Sequence, residues 1–109
     1  MKLGTPEISL AVRSLEDSIA FYQALGFRRV EGEESEGWLV LEHGGVRIGL
    51  YQGQITRNSL TFFGGDVQGI AETLAGAGYD MKEPPAKEED GSTGATVEDP
   101  DGNLLYFNS

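Results

Sequence analysis

The sequence predicts an α+β fold in which one strand–helix–three-strand module, βαβββ, occurs twice. A shift of 52 positions places Glu7 on Ser59, and a shift of 57 positions places Gly45 on Gly102. The matches fall at helix starts, at glycines that end helices and at hairpin glycines. Self-similarity at such a period is typical of a repeated supersecondary unit. We therefore expect a single domain, 1–109, made of two modules whose mixed β-sheet forms a cup around a cavity.

In the first module, about residues 5–53, one helix is expected between Ser14 and Gly26. A serine side chain can accept a hydrogen bond from a free N–H at a helix start, and glycine readily adopts the left-handed conformation that follows a helix. Apolar residues alternate in four further segments, which is typical of strands. These strands are expected at 7–12, 27–33, 38–42 and 46–51. The last two would form a hairpin about Gly44-Gly45, a dipeptide that suits a tight turn.

The second module, about residues 57–109, repeats this order with a helix between Asp66 and Gly78. Its strands are expected at 59–63, 79–82, 95–99 and 103–107. The segment 83–93 contains two prolines and mostly polar residues, which predicts a mobile loop.

The Gly44-Gly45 turn determines which side chains share a face of the sheet. In a two-residue loop His43 opposes Val46, and cross-strand partners point to the same face. The apolar pairs of this register, such as Leu41 with Ile48, would pack against the helix. The alternate residues of the strands would then face the cavity. The expected cavity face consists of Glu7, Ser9, Ala11, Trp38, Val40, Glu42, Arg47, Gly49, Tyr51, Ser59, Thr61, Phe63, Val97, Leu104, Tyr106 and Asn108.

Charge and composition narrow the class of partner. The chain has 8 basic and 18 acidic residues and a net charge of -10, which argues against binding nucleic acid and is compatible with a cationic ligand. It has no cysteine, so disulfides and thiolate sites are excluded. No apolar run is long enough to span a bilayer, and the start of the chain lacks a signal-peptide pattern. We therefore expect a cytoplasmic protein with no membrane partner.

Two segments of the chain resemble a known superfamily. The opening, Ile8–Val12 with Leu15–Tyr22 and Leu25–Phe27, and the closing Glu98–Leu105 are similar to the ends of vicinal oxygen chelate proteins. That superfamily includes glyoxalase I, extradiol dioxygenases, fosfomycin-resistance enzymes and bleomycin-resistance proteins. The resemblance covers essentially the whole chain and implies the same fold, but it does not choose among these functions.

The resemblance also implies where a metal ion would bind. In the metal enzymes of the superfamily, His and Glu ligands lie on the first and last strands of each module. The corresponding positions here are Glu7, Gly49, Ser59 and Tyr106. Only Glu7 is a good ligand, whereas a catalytic divalent metal normally needs about three. We therefore expect no metal and no cofactor, and we expect the only histidine, His43, to face solvent at the hairpin tip.

The remaining candidates form an aromatic-lined site of the kind that binds small molecules. The ligand-binding residues are predicted to be Glu7, Trp38, Arg47, Tyr51, Phe63 and Tyr106. Trp38, Tyr51 and Phe63 have an alternative role in the core or an interface, and Glu7 has an alternative role as a salt-bridge partner of Arg47.

By resemblance to the bleomycin-resistance branch, these residues predict a protein that binds and sequesters a small cationic, aromatic molecule without a metal. The alternative is a lyase or dioxygenase of the same superfamily, either metal-dependent or with Glu7 as general base. A third alternative is a cup that is filled by its own side chains. Because Trp38 and Phe63 would be costly to expose, we also expect a homodimer, with the cup formed within one chain or across two.

Overall fold

The computed structural model describes residues 1–109 and contains two α-helices and eight β-strands. The helices are α1 (Leu15–Ala24) and α2 (Val67–Gly76), and a 3-10 turn occupies Glu34–Glu36. The strands are β1 (Thr5–Ala11), β2 (Arg28–Glu33), β3 (Trp38–His43), β4 (Val46–Tyr51), β5 (Ser59–Phe63), β6 (Glu83–Lys87), β7 (Thr93–Glu98) and β8 (Leu104–Asn108). The order βαβββ occurs twice, which confirms the predicted α+β fold. Neither helix is long and apolar enough to cross a membrane.

The chain divides into two compact units. The N-terminal unit is Glu7–Asn58, and the C-terminal unit is Ser59–Ser109 together with Met1–Pro6. The first residues belong to the C-terminal unit because the N–H of Asp66 donates to the carbonyl of Lys2 at 3.0 Å.

The N-terminal unit is a four-stranded mixed sheet covered on one face by α1. The strand order is β2-β3-β4-β1, in which only the β4–β1 pair is parallel. The helix starts where predicted, because the Ser14 hydroxyl accepts a hydrogen bond from the N–H of Asp17 at 3.2 Å. Six buried apolar residues fill the space between helix and sheet: Leu15, Ile19, Leu39, Leu41, Ile48 and Leu50.

The β3–β4 hairpin has the predicted register. Gly44 and Gly45 adopt φ angles of 54° and 82°, and His43 pairs with Val46. Both glycines are therefore in the left-handed region that a two-residue hairpin turn requires. The register places Leu39, Leu41, Ile48 and Leu50 against α1. It leaves Trp38, Val40, Gly49 and Tyr51 on the opposite face.

The C-terminal unit repeats this arrangement with the strand order β5-β8-β7-β6. Asp66 caps α2 by accepting a hydrogen bond from the N–H of Gly69 at 3.1 Å. The predicted place of Val97 on the face away from the helix is wrong, because Val97 pairs with Leu105 and is buried in the helix-side core. Thr96, the partner of Tyr106, lies on the other face instead.

The segment between α2 and β7 differs from the prediction. No strand forms at 79–82; strand β6 lies at Glu83–Lys87, within the predicted loop. Pro84 and Pro85 are tolerated there because β6 is the last strand of its sheet, and its register with β7 shifts between Glu83 and Ala86. Beyond it, residues 88–92 form a turn that is closed by a 2.8 Å bond from the N–H of Glu88 to the carbonyl of Ser92.

Candidate functional site

A buried carboxyl group, that of Glu7 on β1, lies on the face of the N-terminal sheet away from α1. Glu7 is only 2% exposed. Its Oε2 atom accepts hydrogen bonds from the Ser9 hydroxyl at 2.6 Å and from the Tyr51 hydroxyl at 2.7 Å. Two donors on one oxygen compensate for much of the hydration that this group loses on burial.

Gly49 provides the space that Glu7 and Tyr51 occupy. A Cβ atom at position 49 would lie 2.6 Å from Glu7 Cδ and 2.7 Å from Tyr51 Cε2, both closer than carbon atoms approach without a shift. Glycine at this position therefore allows the carboxyl group and the phenol ring to pack directly over the strand.

Tyr51 is held as a neutral hydrogen-bond donor. Burial, and then the hydrogen bond from its hydroxyl to Glu7, raise the pKa of Tyr51 far above its ordinary value of 10.0. Its ring lies parallel to that of Trp38, at an angle of 4° and a centroid distance of 6.4 Å. Both rings are partly exposed, so together they form an aromatic wall beside the carboxyl group.

Arg47 links Glu7 to two carboxylates at the rim. Its two terminal nitrogens bond to Glu42, at 3.1 Å, and to Glu31. Its third nitrogen, Nε, lies 4.0 Å from Glu7 Oε1 and is buried without a hydrogen-bond partner. The predicted pairing of Glu7 with Arg47 is therefore the weakest of the three ion pairs that the guanidinium makes.

In the C-terminal unit, Phe63 and Tyr106 share the face away from α2. Tyr106 pairs with Thr61 and Phe63 pairs with Asn108, and both aromatic rings are half-buried. The Tyr106 hydroxyl donates to Glu88 at 3.2 Å and accepts from the Asn108 amide at 3.0 Å. Burial is the main cause that raises the pKa of Tyr106 above 10.0.

Four of the six predicted ligand-binding residues lie together within one unit. Glu7, Trp38, Arg47 and Tyr51 form the N-terminal group, whereas Phe63 and Tyr106 belong to the C-terminal unit. Sequence reasoning missed Glu31, because strand alternation from Arg28 places Glu31 on the opposite face of the sheet. A register shift between Arg29 and Glu31 brings it to the face away from α1, and the neighbouring Gly32, an isolated glycine within the strand with a φ of 120°, is the signal that could have indicated the bulge.

The residues at the positions implied for a metal do not fit a divalent ion. Gly49 has no side chain, and the Glu7 carboxyl group already occupies the space in which a ligand at position 49 would lie. No group of three or more His, Cys, Asp or Glu side chains is arranged to hold a metal ion. His43 is exposed at the hairpin tip, where its ring lies 5.6 Å from that of Phe27.

A concavity of the N-terminal unit lies on the helix side, between α1 and the 3-10 turn. It has a volume of about 750 Å³ and is open to solvent. Leu15 and Ile19 contribute to its floor, and the ion pair of Arg29 with Glu34 lies at its edge. None of the predicted site residues lies in it.

One family model matches nearly the whole chain. The sequence model of the Glyoxalase/Bleomycin resistance protein/Dioxygenase superfamily matches residues 4–107. No curated protein matches the chain significantly.

Solved structures of several proteins share the fold. A Legionella pneumophila protein described as NAD-dependent benzaldehyde dehydrogenase is similar with a TM-score of 0.80 and 18% identity, over 95% of this chain and 97% of that one. A hypothetical protein from Bacillus halodurans gives a TM-score of 0.70 and 21% identity, over 98% and 92%. A glyoxalase/bleomycin resistance protein/dioxygenase superfamily member from Vibrio splendidus gives 0.66 and 18%, over 95% of each chain.

Proposed function

The chain belongs to the glyoxalase/bleomycin resistance protein/dioxygenase superfamily, and we propose that it binds and sequesters a small cationic, aromatic molecule. The observation that carries this proposal is the parallel pair of Trp38 and Tyr51 beside a carboxyl group in the N-terminal unit. Stacked indole and phenol rings attract a cation through their electron-rich faces and attract a planar ligand through dispersion.

The charges around the aromatic pair support a cationic ligand. Three carboxyl groups, those of Glu7, Glu31 and Glu42, surround the single guanidinium of Arg47. The net charge of -10 adds to this local excess, because the summed field of the protein raises the concentration of cations near its surface.

A lyase or dioxygenase activity that uses Glu7 as general base is the second candidate. A general base must reach the proton that it removes. Glu7 is 2% exposed, and its Oε2 atom already accepts two hydrogen bonds. These two facts support sequestration over catalysis by Glu7.

Calorimetric titration with phenyltrimethylammonium, an aromatic cation, tests the proposal. We expect it to bind and its neutral carbon isostere, tert-butylbenzene, to bind at least several-fold more weakly. The substitution Trp38→Ala should weaken binding of the cation by about 1–2 kcal/mol, which is the range of desolvated cation–π contacts. Tyr79→Ala is the matched control, since Tyr79 is an aromatic residue 54% exposed in the C-terminal unit, outside the proposed site.

Two results would overturn the proposal. Equal affinity for the cation and its neutral isostere would show that the charge of the ligand does not contribute to binding. An unchanged affinity in Trp38→Ala would show that the aromatic wall is not part of the site. Turnover of a bound compound would support the enzymatic alternative.

We also propose that the chain forms a homodimer. Trp38 and Phe63 are both half-buried, and two large apolar side chains are exposed at the C-terminal end of α1: Phe21, at 61%, and Leu25, the residue after the helix, at 57%. Large exposed apolar side chains of this kind support a partner surface. Sedimentation at micromolar concentration should give twice the mass of 11.7 kDa, and a monomer would refute the dimer.

A further inference from the structure

Among the carboxyl groups that solvent reaches on the face of the N-terminal sheet away from α1, only that of Glu33 has no cationic partner. Glu31 and Glu42 both bond to Arg47. Glu33 is exposed, and the one hydrogen bond of its side chain comes from the Ser35 hydroxyl, which donates to Oε1 at 3.0 Å. The second oxygen, Oε2, accepts no hydrogen bond from the protein, so it is an accessible acceptor whose charge no neighbouring cation compensates.

The carboxyl group of Glu33 lies beside the aromatic wall. Trp38 has two cross-strand partners, which are Glu33 on β2 and Tyr51 on β4. Paired residues of neighbouring antiparallel strands point to the same face, with Cβ atoms about 4.5–5.5 Å apart. The indole therefore has a phenol ring on one side and a carboxylate on the other, and all three side chains are at least partly exposed. A molecule that stacks on Trp38 can reach Glu33 without entering the buried space around Glu7.

We propose that Glu33 binds the cationic group of the ligand and that this group is a protonated amine. The inference rests on the proposed function and deepens it, because it assigns the residue that meets the charge of the ligand. An ammonium that carries N–H groups can donate a charge-assisted hydrogen bond to Oε2, whereas a quaternary ammonium cannot. Both kinds of cation are attracted by the indole face, which requires no N–H group. Glu33 is therefore a specificity-determining residue that favours amines over quaternary cations.

Calorimetric titration with two matched cations tests the role of Glu33. Benzylammonium is a protonated amine, and benzyltrimethylammonium is its quaternary counterpart. The measure is the ratio of their affinities, because the difference in hydration between the two free cations is the same for every variant. Glu33→Ala should shift this ratio about three- to fivefold against benzylammonium, the upper range for an exposed ion pair. Glu16→Ala is the matched control, since Glu16 is an exposed carboxylate on α1, which covers the other face of the sheet. It removes the same charge and should keep the wild-type ratio.

The outcomes separate this inference from the proposed function. A wild-type ratio in Glu33→Ala, or an equal shift in Glu16→Ala, would overturn the amine contact to Glu33, while binding of the cations by the wild type would leave the proposed function intact. No binding of either cation by the wild type would refute both. The variant is expected to fold, because the side chain of Glu33 contributes one exposed hydrogen bond. If it does not, Glu33→Gln, which keeps the shape of the side chain and removes the charge, should shift the ratio in the same direction, and an unchanged ratio there would overturn the contact.

Discussion

The two units have their strands in the same order, but at some equivalent positions one unit has a small side chain where the other has a large one. In the N-terminal unit Ser9 pairs with Gly49, and in the C-terminal unit the equivalent pair is Thr61 with Tyr106. The smallest side chain of the first unit thus corresponds to one of the largest in the second.

A second pair, between the third and fourth strands of each unit, reverses this difference. Trp38 pairs with Tyr51 in the N-terminal unit, whereas Gly94 pairs with Asn108 in the C-terminal unit. The same backbone therefore carries its large side chains at different positions in the two units. Each arrangement creates its own group of neighbouring side chains.

Both units contain a hydrogen bond between a tyrosine and a glutamate that pack over a glycine. Tyr51 donates to Glu7 over Gly49, and Tyr106 donates to Glu88 where a Cβ atom at Gly94 would come within 2.5 Å of the phenol oxygen. Glu7 is buried and Glu88 is exposed. We therefore expect burial, and not the pair of residue types, to decide which of the two hydrogen bonds contributes more to stability.

The largest expected effect is that of Gly49→Ala. We expect it to lower the free energy of unfolding by about 2–3 kcal/mol, because neither the buried Glu7 nor the Tyr51 ring can move away from the new methyl group. Gly94→Ala should cost less, about 1 kcal/mol, since the exposed Glu88 can move aside and leave room for the half-buried Tyr106 ring to shift. Denaturant unfolding measures both. Gly76→Ala is the control, because nothing lies within 4 Å of its Cβ position. Equal losses at 49 and 94 would contradict the comparison.

A second test removes the carboxyl groups themselves. Glu7→Gln should destabilise the protein by about 2 kcal/mol, because the buried hydroxyls of Ser9 and Tyr51 lose a charged acceptor. Glu88→Gln should change the stability by less than about 0.5 kcal/mol, as is usual for surface substitutions. Thermal and denaturant unfolding would show the difference, and a similar loss in both variants would indicate that burial is not the deciding factor.

The smallest expected effect is a loss of stability at alkaline pH. Below pH 10 Tyr51 is protonated whether the chain is folded or unfolded. Above pH 10 the unfolded tyrosine loses its proton while the folded one keeps it, because the pKa of Tyr51 is raised in the fold. Unfolding therefore becomes easier as the pH rises through this range, by at most about 1.4 kcal/mol per pH unit.

The variant Tyr51→Phe isolates this contribution. Its stability should fall less steeply than that of the wild type between pH 10 and 11, measured by denaturant unfolding. Tyr106→Phe should show a smaller change in slope, because Tyr106 is less buried. Identical slopes in the wild type and Tyr51→Phe would show that the phenol of Tyr51 ionises normally in the fold.

The sequence predicted the hairpin of the N-terminal unit correctly because a two-residue loop leaves one register. Gly44-Gly45 requires that His43 face Val46, and the structure has that pair. The grouping of Trp38, Arg47 and Tyr51 follows directly from this turn.

The register of the C-terminal hairpin, between β7 and β8, could not be predicted in the same way. The loop between β7 and β8 is longer, and the Asp99 carboxyl group bonds to the N–H groups of Asp101 and Asn103. This turn displaces β7 by one residue relative to the repeat, so Thr96 and not Val97 faces Tyr106. A shift of one residue reverses every side chain of a strand, and the repeat alone does not contain the loop geometry.

The environment of Glu7 was predicted only in part. Strand alternation predicts that the Glu7 side chain lies on the face of the sheet away from α1. It also predicts that Glu7 lies near Arg47. Its hydrogen bond with Tyr51 depends on the space above Gly49, which is a property of packing in three dimensions. Glu88 was missed for a different reason, since the two prolines before it made the segment resemble a loop.

The outer strands of the two sheets carry features that oppose aggregation. Strand β6 contains Pro84 and Pro85, which have no amide proton to offer to an added strand, and its register is interrupted by a bulge. Strand β2 carries Arg28, Arg29 and Glu31 and has a register shift of its own. Another extended chain would find few continuous hydrogen-bonding sites along either strand. Addition of a strand at either edge, which is the first step of amyloid-like growth, is therefore disfavoured.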